Sequence, residues 1–160
     1  MIPSNSTLLR IIRNVPAVEA TPDYASGDLL GGKQELLNAV DRAGDSGRIV
    51  GVRVTCNAAI AGVDIDAVFF NADPVNTTFT ENGPLAIDAD DFGKVIEAVS
   101  LSTQIDFASN AGHISQPAAA PDIPFVLDGG TSLYCALVVR GAFNLADAAD
   151  IGLRVAIARP

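Results

Sequence analysis

Tryptophan is absent from this chain, histidine occurs once, methionine once and cysteine twice. Each scarcity removes a class of function. A His/Cys metal centre needs at least three such ligands, and only His113, Cys56 and Cys135 exist, with no cluster spacing. A lone histidine also limits nucleophilic catalysis, and no Gly-x-Ser-x-Gly elbow accompanies it. His113, between Gly112 and Ile114, therefore reads as a structural or solvated residue at a loop or edge. Gly31-Gly32-Lys33 lacks the upstream glycine and following Ser or Thr of a phosphate loop, and no Gly-x-Gly-x-x-Gly occurs. Missing tryptophan and only two tyrosines, Tyr24 and Tyr134, argue modestly against a sugar-stacking surface. The chain is expected not to be an enzyme and to carry no cofactor.

Positive charge is also scarce. Lys and Arg total 10 against 19 Asp and Glu, a net charge of −9. Without a basic stripe in the sequence, direct nucleic-acid binding is not expected. No apolar run approaches the roughly 20 residues that cross a bilayer, so no membrane partner is expected. Leu8-Leu9 and Ile11-Ile12 are interrupted by Arg10 and Arg13. No signal peptide is expected there, and Val18-Glu19-Ala20 only superficially mimics a cleavage site. Asn5-Ser6-Thr7 and Asn76-Thr77-Thr78 are formal glycosylation sequons with no secretion signal to support them.

What is present is apolar: 49% hydrophobic residues and only 18% charged, in 160 residues. One domain of this length can bury a genuine core. Strand-like alternation recurs. Val50, Val52, Val54 and Cys56 share one face of a strand over 48–57, followed by Val63 to Asn71. Further strands are expected over 24–30, 96–102, 104–108, 113–115, 123–127, 131–140 and 151–158. Asp88 is placed as the N-cap of a short helix over 88–95, with Asp90 and Asp91 in its first turn. The fold expected is all-β: a β-sandwich, jelly-roll-like, with about eight strands and one short helix. Residues 24–160 form that domain. Residues 1–23 form an extended N-terminal arm, outside the core, that docks onto a neighbour.

Cys56 and Cys135 read as buried free thiols, with a cross-strand disulfide as the alternative. Asp64 with Asp66, and Asp88, Asp90 and Asp91 together, are the candidate cation sites. A solvated face and a helix start explain them without a ligand. Strands 63–71 and 131–140 are apolar on both faces, so the outward set needs cover from other chains or from a capping segment. Self-association follows as an expectation, with Leu8, Leu9, Ile11, Ile12, Tyr24 and Tyr134 as interface residues.

Ordered stretches along the chain carry a family resemblance. They are Tyr24-Ala25-Ser26-Gly27-Asp28-Leu29-Leu30-Gly31-Gly32-Lys33, then Val68-Phe69-Phe70-Asn71-Ala72-Asp73-Pro74. Thr77-Thr78-Phe79-Thr80-Glu81-Asn82, Ala89-Asp90 and Gly129 to Gly141 follow. Together they resemble a family of small tailed-bacteriophage virion proteins, from about Tyr24 to Val155. The resemblance implies a virion structural component made in the host cytoplasm, such as a head-decoration or minor capsid protein. Its partners would be itself and the major capsid or other virion proteins. It supplies no catalytic residues. The alternative is a β-sandwich glycan- or receptor-binding module of a virion fibre.

Overall fold

The computed structural model describes residues 8–18, 23–56, 63–107, 112–142 and 151–160. Ten strands lie among them: β1 (Leu8–Asn14), β2 (Leu29–Leu36), β3 (Ser46–Cys56), β4 (Ile65–Phe70), β5 (Val95–Leu101), β6 (Thr103–Asp106), β7 (His113–Gln116), β8 (Ile123–Val126), β9 (Leu133–Val139) and β10 (Ile151–Arg159). The first sheet runs β1-β10-β3-β7-β6, with β8 also on β3; the second runs β2-β9-β4-β5. All strand pairings are antiparallel, and one set of them is nested. The first strand pairs with the last, β2 with β9, β3 with β7 and β8, and β4 with β5. This is a long hairpin rolled into two facing sheets, the jelly-roll arrangement.

Alternation builds the core between the sheets. Val52, Val54 and Cys56 of β3 face Ile65, Ala67 and Phe69 of β4 and Leu133, Cys135 and Leu137 of β9. Val50 departs from the expected face. Pairing shifts register between Ala156 and Ile157, opposite this stretch of β3. The bulge makes Ile49 the buried residue and leaves Val50 half-buried.

Three other expectations are corrected. Residues 8–14 are an edge strand of the sandwich and not an arm ahead of it: β1 pairs with β10 from Leu8↔Arg159 to Asn14↔Leu153. Arg10 and Arg13 interrupt an apolar run but not a strand, because alternation still sends Ile12 into the core. Residues 1–7 and 19–22 of the expected arm lie outside the described residues. The second strand begins at Leu29 and continues through Gly31 and Gly32, whose φ values are +81° and +64°. The glycines form a bulge between Leu29 and Lys33, so a pair that resembles a strand end is a bend inside one. The helix over 88–95 is reduced to one 3-10 turn, Phe92–Lys94.

A second apolar layer explains the strands that are apolar on both faces. Leu29, Val68, Phe70, Ala136 and Val138 are buried on the outer face of the second sheet. Phe79, Leu85 and Ile87 pack onto them from the connection between β4 and β5, beside Val95 and Tyr134. Cover for this face thus comes from residues 71–94 of the same chain. Each apolar side chain so buried contributes about 1.5–3 kcal/mol before entropic costs. Among the described residues, no second buried apolar cluster lies on the outer face of the first sheet.

Candidate functional site

Asp91 anchors the cover segment. Its carboxylate has no exposed surface and accepts hydrogen bonds from the Asn76 N–H (2.8 Å), the Thr77 N–H (2.7 Å) and the Thr77 hydroxyl (2.9 Å). Lys94 Nζ lies 2.7 Å from its other oxygen. Burial alone would raise this carboxyl's pKa. The Lys94 ammonium and the Thr77 and Asn76 donors overcome that and hold it down at about 2. Thr77 also accepts the Asp88 N–H at 3.0 Å. The aspartate trio expected at a helix start is therefore split. Asp91 turns inward as a structural anchor, while Asp88 and Asp90 stay exposed, joined by an Asp90 N–H to Asp88 Oδ1 bond of 2.9 Å.

Asp64 and Asp66 do not converge on a cation either. Arg140 Nε donates to Asp66 at 2.6 Å, and the Arg140 N–H donates to the Asp64 carbonyl at 2.8 Å. Among the described residues, no three His, Cys, Asp or Glu side chains are arranged to hold a metal ion. No helix among them is long and apolar enough to cross a membrane.

His113 sits in β7, and is buried where a loop or edge placement was expected. Its Nδ1 is 2.5 Å from Asp106 Oδ1 on the paired strand β6, and its Nε2 is 3.0 Å from Ser115 Oγ. The connectivity is that of a Ser-His-Asp relay, but the accessibility is reversed. A hydrolase must expose its serine to substrate. Here Ser115 is fully buried and Asp106 is the exposed member. The trio ties β6 to β7 and satisfies a buried imidazole.

The interface candidates separate into two groups. Leu8, Leu9 and Ile11 are exposed on β1 at 53%, 62% and 54%. Ile12 and Tyr24 are buried in the core, 8% and 1% exposed, and offer a neighbour little surface. The Tyr24 hydroxyl donates to Glu81, whose other oxygen accepts the Gly31 N–H. Tyr134 is half-buried beneath Lys33, whose ammonium lies 5.6 Å from its ring and 5.8 Å from that of Phe79. Burial raises the Tyr134 pKa, helped by Glu35 and Asp73. Its contacts belong to the packing of the second sheet's outer face. Cys56 and Cys135 are free and buried, as expected, and burial pushes the Cys135 thiol well above its usual range.

Register reveals a feature that composition hid. Arg13 of β1 lies opposite Arg154 of β10, and Arg154 lies opposite Arg53 of β3. All three are exposed, and they alternate with the buried row of Ile12, Val155 and Val52, so they share the outer face of the first sheet. Of the ten Lys and Arg residues, Lys33, Arg48, Lys94, Arg140 and Arg159 form ion pairs. The three arginines of the row have no carboxylate partner among the described residues. Arg53 and Arg154 border an open groove of about 420 Å³, walled by Ile11, Pro117, Pro121 and Ala156. Each arginine is an outward residue on its own strand, and only strand register brings the three side by side.

No protein-family model matches the chain, and a search of the curated proteins finds no match.

Proposed function

We propose that this protein is a structural component of a tailed-bacteriophage virion, which binds the particle in repeated copies as a head-decoration or minor capsid protein. The observation that carries the reading is the edge strand β1. Leu8, Leu9 and Ile11 are exposed on it, and no strand lies beyond it among the described residues. An open, apolar edge is a liability in a free protein and a docking strip in an assembled one. The resemblance in the stretches from Tyr24 to Gly141 supports the class of particle. The jelly roll is shared by capsid and lectin domains, so the fold alone does not choose between them. The inverted Asp106–His113–Ser115 trio favours a non-catalytic role.

The test is co-sedimentation with purified capsids of the phage that encodes the chain. Saturable binding at a fixed ratio to capsid subunits is expected. Leu9→Glu with Ile11→Glu, both on the outer face of β1, should abolish binding while the circular dichroism stays native. Failure of the wild-type protein to bind any capsid form refutes the reading. Retention on a glycan array without capsid binding would turn it toward a receptor-binding module.

A further inference from the structure

We propose that the row Arg13–Arg154–Arg53 is the docking site for the acidic corner Asp88–Asp90 of a second copy of this chain. The row shares Arg13 and the neighbouring Ile11 with the β1 edge, but Arg154 and Arg53 lie on β10 and β3, and the contact holds whether or not the larger particle is a virion.

The first argument is electrostatic. Neighbouring strands lie about 4.8 Å apart, well inside the Debye length of about 8 Å at physiological salt. Like charges directly opposite across strands are destabilising. Three adjacent arginines therefore repel one another in the isolated chain, although 19 acidic residues are present to neutralise ten basic ones. Five other cations find carboxylates inside their own chain; among the described residues this row does not. An incoming carboxylate pair would relieve that repulsion, and guanidinium forks bind carboxylates bidentately.

The second argument is complementarity. The cover segment exposes Asp88 and Asp90, and neither has a cationic partner among the described residues. Beside them Phe92 and Val75 are exposed at 66% and 69%, flanking the anchor at Asp91. An acidic corner edged with apolar side chains matches an arginine row edged with Ile11, Pro117 and Pro121. Row and corner lie on opposite sides of the sandwich, over the outer faces of the first and second sheets. The contact is therefore heterologous: each copy offers a corner to one neighbour and a row to another. Such contacts continue into rings or extended arrays and do not close as simple two-fold dimers.

The experiment is sedimentation velocity of the full chain over a concentration series, at low salt and at about 1 M salt, where the Debye length falls to about 3 Å. Low salt should give concentration-dependent association that high salt abolishes. R53E/R154E and D88R/D90R should each weaken association by at least about tenfold. Mixing the two variants should restore it, because the reversed corner of one fits the reversed row of the other. Native circular dichroism identifies a folded variant. Should either pair fail to fold, Arg154→Gln and Asp88→Asn replace it, with the same loss expected. A wild-type monomer at every concentration overturns the proposal, as does association unchanged by R53E/R154E or no recovery on mixing. So does saturable, salt-sensitive binding of a DNA oligonucleotide to a chain that remains monomeric, since the row would then be a polyanion site.

Discussion

Phe70 tests whether the second apolar layer is as well packed as the core between the sheets. Its ring is fully buried on the outer face of the second sheet. It meets Phe79 of the cover segment edge-on, with centroids 6.0 Å apart and planes at 85°. Truncating a buried Phe to Ala costs about 3–5 kcal/mol, the lost transfer energy plus the cavity left behind. An edge-to-face pair adds about 0.5–1.5 kcal/mol beyond area burial. Phe70→Ala should therefore destabilise by about 3–5 kcal/mol, and half-buried Phe79→Ala by less. The double variant should recover about 0.5–1.5 kcal/mol of their sum, the coupling read by a double-mutant cycle. Urea unfolding followed by far-UV circular dichroism suits a chain without tryptophan. Leu137→Ala in the main core gives the comparison, at about 2–5 kcal/mol. If Phe70→Ala costs under about 1 kcal/mol, or the pair shows no coupling, the cover does not seal that face. The outward apolar set would then be available to another chain.

Three further outcomes are expected. Gly31→Ala places a Cβ 2.2 Å from Pro16 Cβ at a φ of +81°, whereas Gly130→Ala at +65° meets nothing within 4 Å. Gly130→Ala should cost about 1–2 kcal/mol of backbone strain, and Gly31→Ala about 1–3 kcal/mol more for the clash; equal urea midpoints would contradict this. The Asp91 pKa is lowered on folding, so its charge stabilises the fold above its unfolded value of about 4 and stops doing so as pH falls through about 2. The stability gap between wild type and Asp91→Asn should shrink over that window in acid titrations of the urea midpoint, and a gap constant with pH would refute it. Native Cys56 and Cys135 should react with thiol reagents only after unfolding, because both are buried; rapid native labelling of either would contradict that.

The elements legible in the sequence were those in which hydrophobic alternation was dense. Strands β3, β9 and β10 stand out because inward Val, Ile, Leu and Cys recur every second residue, and β4 because it is apolar on both faces. The buried free cysteines followed from the same pattern. Strand β1 was obscured by Arg10 and Arg13, which look like interruptions until β10 supplies a partner. The far half of β2 was obscured by Gly31 and Gly32, because a bulge and a strand end use the same residues. The cover segment has no periodicity at all. Its burial depends on the turn held by Asp91, and the aspartates of that turn mimic a helix start. Asp106, His113 and Ser115 carry no motif spacing, since strand pairing and not sequence separation brings Asp106 to the imidazole. The arginine row was hidden for the same reason: each arginine is an ordinary outward residue on its own strand.

Nested pairing also constrains how the chain can fold. The β6–β7 hairpin closes the shortest loop, with Asp106 opposite His113, whereas β1 waits for β10, with Leu8 meeting Arg159. Topologies dominated by such distant pairings fold on the millisecond-to-second scale. During synthesis, β1 emerges before the other nine described strands and stays without its ladder partner until β10 has left the ribosome. Leu9, Ile11 and both edges of β1 are exposed throughout that interval, when unpaired strands are prone to aggregate. Arg10 and Arg13 then act as gatekeepers, charges set into an apolar strand that must wait.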